Sequence, residues 1–377
     1  MIYRSFSRFR LIALLFVLDV TVQAQPHEVV EAGLSQREYA AAVRNLSEPT
    51  ALFDSNNYIS NETGYLHILP SLERLGVRGG VYIGVGPEQN FTYIARIRPE
   101  YAFILDIRRE NMLEHVLFKV LFEMADSRQT FLSLLLSKPL KDDTAVLSSP
   151  TIKNLVDYFD TLEGDEAFFK LNLSRIKKLA GRYELNLSSH DYQIIEKTYR
   201  VFLDRHLDLR WEYMTSGNRG INFPSFRDML LGKDVDGHYG NFLNSDDDFY
   251  YIKNMQAANL IVPVTGDFAG KLALTNIAEY IRKRGDKVSA FYLSNVEYYL
   301  VSDGLMPGFA ENVKRLPITD KSILIRAFVN LRSAAHPARE DNELMTTVMQ
   351  YVSSFNRLFE QGRYRKYLDV GTADYLR

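Results

Sequence analysis

The stretch Gly80-Val-Tyr-Ile-Gly-Val-Gly86 decides the fold of this 377-residue chain. Its short apolar run ends in glycine, which is typical of a buried parallel strand that enters a tight turn. Further apolar runs of strand length occur at residues 101–107, 259–264, 287–293 and 322–328. Segments with helical periodicity alternate with these runs. This alternation predicts an α/β fold with a mostly parallel sheet and helices on both of its faces.

The helical segments predict how the chain is organised around that sheet. Helices are expected at residues 34–46, 66–75, 110–136, 272–284 and 342–363, which carry apolar residues at helical spacing. Residues 140–250 differ from the rest, because helical stretches there have no intervening strand and a Gly-, Asn- and Asp-rich loop follows them. We therefore expect one domain over residues 25–377, with a helical insertion or cap at about residues 140–250.

The first 24 residues resemble a secretory signal. A basic segment with three arginines precedes the apolar residues 11–22, and Val-Gln-Ala at residues 22–24 resembles a cleavage site. The sequence therefore predicts an exported protein, periplasmic or secreted. The alternative is an uncleaved signal that anchors the domain outside the membrane.

Composition restricts the classes of function. The chain has no cysteine, which excludes disulfides, thiolate metal sites and cysteine nucleophiles and suits an oxidising compartment. The formal net charge is −2, so no general basic field points to nucleic acid or to an anionic membrane surface. A small polar or nucleoside-like ligand is the expected partner, and a protein partner stays open.

Gly84, Gly86 and Asp106 form the first part of a predicted ligand site. Ligands of open parallel sheets bind beyond the carboxyl ends of the strands. Two glycines let the backbone turn tightly and approach a ligand closely, and a carboxylate about twenty residues later suits the hydroxyls of a ribose. The alternatives are a tight strand exit for the glycines, and for Asp106 a helix cap or an ion pair with Arg108 or Arg109.

The residues after the second glycine narrow the class of ligand. Gln89 and Asn90 are predicted to contact it. Pro87 lacks an N–H and Glu88 repels phosphate, so the turn is a poor cradle for a pyrophosphate. A ligand without phosphates at this turn, such as S-adenosylmethionine, is therefore favoured over a dinucleotide.

Polar residues after two later strands complete the predicted site. Asp267, Asn295 and Glu297 are predicted to orient the group that reacts; the alternative for each is to cap a helix or turn. No metal site is predicted, because the seven histidines lack the spacing of a helical pair of ligands and the acidic segments 234–237 and 246–248 lack calcium-loop spacing.

Five segments also resemble a known family. These are residues 60–63, 79–90, 103–111, 259–270 and 290–297. They are similar to an uncharacterised exported bacterial family, typified by a leptospiral hypothetical protein with a methyltransferase-like Rossmann fold. The resemblance covers most of residues 35–335. It implies that fold and export but no reaction.

Three functions follow as hypotheses. The first is an S-adenosylmethionine-dependent methyltransferase, in which Gly84, Gly86 and Asp106 hold the cofactor and the rate comes from positioning. The second is a non-catalytic binding protein in the envelope, on a degenerate Rossmann core, which captures a nucleoside-like ligand or a partner. The third is a hydrolase that uses Asp267 and Glu297 as acid and base.

Overall fold

The computed structural model describes residues 33–51, 53–141, 150–218, 220–331, 334–340 and 343–377. The predicted signal peptide at residues 1–24 lies outside these ranges. No helix in the described ranges is long and apolar enough to cross a membrane.

A six-stranded, mostly parallel sheet forms the centre of the described structure. Its strands are β1 (Val81–Gly84), β2 (Tyr101–Asp106), β3 (Ile261–Thr265), β4 (Val288–Tyr292), β5 (Ile318–Val329) and β6 (Met345–Tyr351). Their order is β3-β2-β1-β4-β5-β6, and β1 pairs in parallel with both β2 and β4. The chain moves outward in one direction from β1 to β3 and in the other from β4 to β6. The carboxyl ends of β1 and β4 therefore flank the point where the strand order reverses, at which open sheets of this kind leave a crevice.

The last strand corrects the prediction of a helix over residues 342–363. In the structure, residues 345–351 form β6, which pairs antiparallel with β5 from Ile323↔Tyr351 to Val329↔Met345. A helix follows only from Val352. The sequence Met-Thr-Thr-Val-Met-Gln-Tyr is rich in β-branched residues, and β5 would otherwise present an unpaired edge. Strand pairing therefore prevails over helical periodicity.

Helices precede the first strand, connect strands and follow the last one. They are α1 (Gln36–Leu46), α2 (Leu69–Arg74), α3 (Gln89–Ile97), α4 (Arg109–Met124), α5 (Arg128–Leu136), α6 (Ile152–Asp160), α7 (Glu166–Gly181), α8 (Ser189–Arg205), α9 (Phe226–Leu230), α10 (Asp246–Ala257), α11 (Ala273–Arg284), α12 (Val296–Ser302), α13 (Met306–Lys314), α14 (Val352–Glu360) and α15 (Tyr367–Thr372).

One helical prediction changes in detail. The single helix predicted at 110–136 is two helices, α4 and α5, because Ser127 interrupts it and accepts a hydrogen bond from the Thr130 amide as the N-cap of α5. In the predicted insertion, α6 to α9 lie between β2 and β3 without a strand of the sheet.

Packing around Phe91 joins α3 to α4 and to the segment at Phe242. This ring is fully buried and makes edge-to-face contacts with Phe118, Phe122 and Phe242, at centroid distances of 5.6, 5.4 and 5.4 Å. Aromatic pairs in this geometry stabilise a core beyond the burial of their area. Phe91 lies on α3, directly after the glycine turn, so this packing also fixes the position of the turn.

Candidate functional site

A cavity of about 210 Å³ lies at the carboxyl ends of the central strands. Loops after β1, β2, β3 and β4 all contribute to its wall, as expected for a crevice at the reversal of strand order. The predicted residues that line it are Gly86, Gln89, Asp106, Asp267 and Asn295. The structure therefore brings these five residues together, whereas Gly84, Asn90 and Glu297 lie outside the lining.

The glycine turn after β1 is held by Asn90. Its Nδ2 donates to the carbonyl oxygens of Val85, Gly86 and Pro87 at 2.9, 3.0 and 2.8 Å, and its Oδ1 accepts from the Tyr82 hydroxyl at 2.8 Å. Asn90 is fully buried. Its side chain therefore holds the turn in shape. It does not line the cavity, so the predicted contact with a ligand is absent from its position.

The two glycines have different roles. Gly86 has φ +83°, a backbone conformation that favours glycine, and it faces the cavity. A Cβ on Gly84 would lie 2.0 Å from Asn90 Oδ1 and 2.7 Å from the Tyr82 ring. Gly84 is thus required for the close approach of Asn90, and only Gly86 can touch a ligand.

Gln89 offers an unused acceptor to the cavity. Its side chain is buried, and its Nε2 lies 3.4 Å from both the Val85 carbonyl oxygen and the Tyr292 hydroxyl. Its Oε1 has no hydrogen-bond partner among the described residues. A buried amide oxygen left unpaired costs free energy, so a donor on a ligand would stabilise this wall.

Asp106 and Arg108 occupy the adjoining wall, at the end of β2. One carboxylate oxygen, Oδ1, accepts from the Arg108 amide at 2.9 Å and lies 3.4 Å from the Arg108 Nε. The predicted alternative of an ion pair with Arg108 is therefore present, and Arg109 instead pairs with Asp191 at 2.7 Å. Since Asp106 also lines the cavity, the ion pair does not exclude contact with a ligand.

Asp267 and Asn295 reach the cavity from the loops after β3 and β4. Asp267 Oδ1 accepts from the Ala269 amide at 2.9 Å, so the carboxylate also stabilises its own loop. Asn295 stands at the N-terminus of α12, but its side chain makes no cap hydrogen bond with that helix. Its amide therefore remains able to contact a ligand.

Glu297 is placed elsewhere. Its Oε2 lies 2.9 Å from Arg326 Nε, and both side chains are buried. Burial raises the pKa of Glu297, and the Arg326 charge opposes that rise. The residue belongs to a buried ion pair behind the cavity, so the structure does not bring it to the predicted acceptor position.

Aromatic side chains that the predicted site did not include also line the cavity. They are Phe53, Trp211, Phe268 and Tyr299, with Phe53 and Tyr299 edge-to-face at 4.9 Å. The Trp211 Nε1 donates to Asn57 Oδ1 at 2.9 Å, which fixes the indole. Trp211 is the only tryptophan of the chain, a signal that could have singled it out. These rings give the cavity an apolar wall on which a heteroaromatic ring can stack.

Glu62 lies behind the cavity in a hydrogen-bond network. Its Oε1 accepts from the Tyr292 hydroxyl at 2.9 Å and from the Ser294 hydroxyl. Burial raises the pKa of Glu62 to about 7, although these hydrogen bonds oppose the rise. Ser294 lines the cavity and has φ +50°, unusual for a residue other than glycine. The network therefore connects a carboxyl that titrates near neutral pH to the cavity wall.

Two more carboxyls are buried near the glycine turn. Burial raises the pKa of Glu88 to about 8. Burial, and next the charge of Glu88, raise the pKa of Glu114 well above its usual range. His115 is neutral, because burial lowers its pKa to about 4, and its Nε2–H donates to the Gly86 carbonyl at 2.9 Å.

One group in the described residues has the composition of a metal site. It consists of His67, Glu340 and Glu343. Arg377 already lies there, since its Nη2 donates to Glu340 Oε1 at 2.7 Å and is 3.8 Å from Glu343 Oε1. An internal cation thus balances these carboxylates, and none of the three residues lines the cavity.

Comparison with known proteins gives a family without an activity. Residues 58–374 match a family described as Domain of unknown function (DUF7790). No curated protein matches the sequence significantly. The match includes all of the predicted site residues and the whole sheet, and it names neither the leptospiral family nor a methyltransferase.

Proposed function

We propose that this chain binds a nucleoside-like ligand of the S-adenosylmethionine class and supports methyl transfer. The ligand would bind in the cavity at the carboxyl ends of the central strands. The chain belongs to the DUF7790 family, whose function is unknown. One observation carries the proposal. The Gly86 turn, the Asp106 carboxylate and the Trp211 ring all face one cavity. A close backbone approach, an acceptor for ribose hydroxyls and a stacking surface are the three features that a nucleoside requires.

The sheet supports the same proposal. Its strand order, β3-β2-β1-β4-β5-β6, is the order of doubly wound nucleotide-binding sheets, with the difference that β6 is antiparallel. Together with the sequence resemblance, this order favours a Rossmann-like, methyltransferase-like class. The carboxylate at the end of β2 then stands where such sheets bind a ribose.

The side chains of the cavity have separate roles in this proposal. Asp106 accepts hydrogen bonds from the ribose, and the unpaired Gln89 Oε1 accepts one from a donor on the ligand. Asp267 and Asn295 orient the acceptor of the methyl group. The bound sulfonium supplies an electrophilic methyl group, while the protein contributes alignment and excludes water.

Calorimetric titration tests the binding step. We expect S-adenosylmethionine, its demethylated product and adenosine to bind, and Asp106→Asn to weaken each about 10- to 100-fold, because a charged hydrogen-bond acceptor is lost. Asp157→Asn is the matched control, since this carboxylate is exposed and should leave the affinity unchanged. Absence of binding by folded wild-type protein would refute the proposal.

A non-catalytic binding protein is the second candidate function. The observation in its favour is that Glu297 is held by Arg326, which leaves Asp267 and Asn295 as the predicted acceptor groups in the cavity. Incubation of the protein with methyl-labelled S-adenosylmethionine and cell-envelope extract separates the two. Transfer of label that Asp267→Asn abolishes supports the enzyme. Tight binding without any transfer supports the binding protein.

A further inference from the structure

Arg108 has a guanidinium that its surroundings do not satisfy. The side chain is buried, with 4% exposure, and it lines the cavity. Its Nη1 donates to the Asn56 carbonyl at 3.2 Å. Its Nε and Nη2 have no hydrogen-bond partner among the described residues. Buried N–H groups of a charged side chain are costly to leave unpaired, so their retention beside a cavity points to acceptors on a ligand.

The neighbouring carboxyls do not supply those acceptors. Asp106 Oδ1 accepts from the backbone amide of Arg108 and is 3.4 Å from its Nε, beyond a good hydrogen bond for a charged pair. Glu88 and Glu114 lie nearby, but burial raises the pKa of each, to about 8 for Glu88 and well above its usual range for Glu114. Glu88 is therefore largely uncharged at neutral pH, and burial disfavours the charged form of Glu114 as well. Among these carboxyls, only Asp106 therefore pairs with Arg108, and it does not satisfy the free N–H groups.

We propose that Arg108 is the subsite for a carboxylate of the ligand, so that the nucleoside-like molecule carries a single negative charge close to its sugar. The proposal rests on the nucleoside site proposed above. A planar carboxylate can accept from Nε and Nη2 together, the two-pronged geometry that a guanidinium offers. Asn57 follows the residue that holds Nη1 and also lines the cavity, so it adds a side-chain amide at the same wall.

The charge of the cavity selects carboxylate over phosphate. Among the described residues that line the cavity, Arg108 is the only cation, whereas Asp106, Asp267 and Asp303 are acidic. A phosphate monoester carries close to two negative charges at neutral pH. It would gain one cation and meet three carboxylates in a partly desolvated space, where repulsion is weakly screened. A monoanion satisfies the same N–H groups with less repulsion.

Titration with matched ligands tests the proposal on the wild-type protein. The probes are adenosine, adenosine-5′-carboxylate, adenosine-5′-carboxamide and adenosine-5′-phosphate. We expect the carboxylate to bind about 10- to 100-fold more tightly than its neutral carboxamide, the range of a charge-assisted hydrogen-bonded pair. The phosphate should bind more weakly than the carboxylate. Trp211 fluorescence gives a second readout, because this ring lines the cavity.

Variants then assign the effect to the residue. Arg108→Met should abolish the preference for carboxylate over carboxamide, and Arg109→Gln, which removes the neighbouring charge paired with Asp191, should keep it. Arg108→Lys keeps the positive charge and is the control for misfolding. It should reduce the preference for carboxylate over carboxamide, because lysine lacks the planar pair of N–H donors.

The outcomes separate the two proposals. Equal affinity for adenosine, adenosine-5′-carboxylate and adenosine-5′-carboxamide would overturn the subsite and leave nucleoside binding intact. A preference for the carboxylate that survives in Arg108→Met would have the same consequence. Tighter binding of the phosphate overturns the choice of carboxylate. Failure of all four probes to bind overturns the proposed function and the subsite together.

Discussion

Replacement of Glu62 by glutamine should change how the stability of the protein depends on pH. Burial raises the pKa of Glu62 from 4.5 to about 7, so the folded state holds the proton more tightly than the unfolded chain. Unfolding therefore releases a proton between about pH 4.5 and pH 7, and stability falls as the pH rises through that window. The full effect is about 3 kcal/mol above pH 7. Glutamine mimics the protonated form and can still accept from Tyr292 and Ser294.

Urea unfolding at pH 5.5 and pH 8 measures this effect, with the fluorescence of the single buried tryptophan, Trp211, as the signal. Glu62→Gln should be more stable than the wild type at both pH values, and its advantage in unfolding free energy should be about 2 kcal/mol larger at pH 8 than at pH 5.5. The buried Glu88 is present in both proteins, so its own titration cancels in the comparison. Glu110→Gln is the control, because Glu110 is exposed. If wild type and Glu62→Gln lose stability in parallel, the reasoning on Glu62 is wrong.

Three further substitutions test the packing around the cavity. Gly84→Ala should lower the melting temperature, because its Cβ would lie 2.0 Å from Asn90 Oδ1; an unchanged melting temperature would contradict the role given to Gly84. Phe91→Ala should cost about 3–5 kcal/mol in urea unfolding, the usual cost of emptying a buried aromatic site, and a loss below 1 kcal/mol would contradict the packing. Glu297→Ala should cost about 3–5 kcal/mol by stranding the buried Arg326 charge, while adenosine affinity stays the same in calorimetry. Loss of affinity in a stable protein would place Glu297 in the site after all.

The central strands could be predicted from the sequence because their burial is local information. The apolar run that starts at Val81 ends in Gly84, the apolar run at residues 101–105 ends in Asp106, and both are strands in the sheet. The α/β fold with a mostly parallel sheet is confirmed on this basis. The strand β6 could not be predicted in the same way. Its partner is β5, and pairing between distant residues leaves a weak trace in the periodicity of one segment.

The site residues, too, could be predicted from the sequence only in part. Gly86, Asp106, Asp267 and Asn295 stand at strand ends, and parallel strands bring their carboxyl ends to one edge, so the sequence indicates that these residues meet. Phe53 and Trp211 reach the same cavity from segments outside the sheet, and no spacing in the sequence relates them to it. Glu297 was misplaced for a different reason. Its position after β4 suits a ligand contact, but the buried Arg326 on β5 attracts its carboxylate instead.

In the proposed complex, the glycine turn and the acidic wall would together orient the ligand. An anion at the glycine turn would find no N–H donor at Pro87. The Asn90 amide would not be available to it either, because it already donates to the carbonyl oxygens of the turn. A positive group is better accommodated near Asp267 and Asp303. Both carboxylates line the cavity, and Arg108 is the only cation among the described lining residues. We therefore expect a positive group of the proposed ligand near Asp267 and Asp303, and its negative group near Arg108. A ligand with separated charges satisfies both walls, whereas a polyphosphate satisfies only one of them and is repelled by the other.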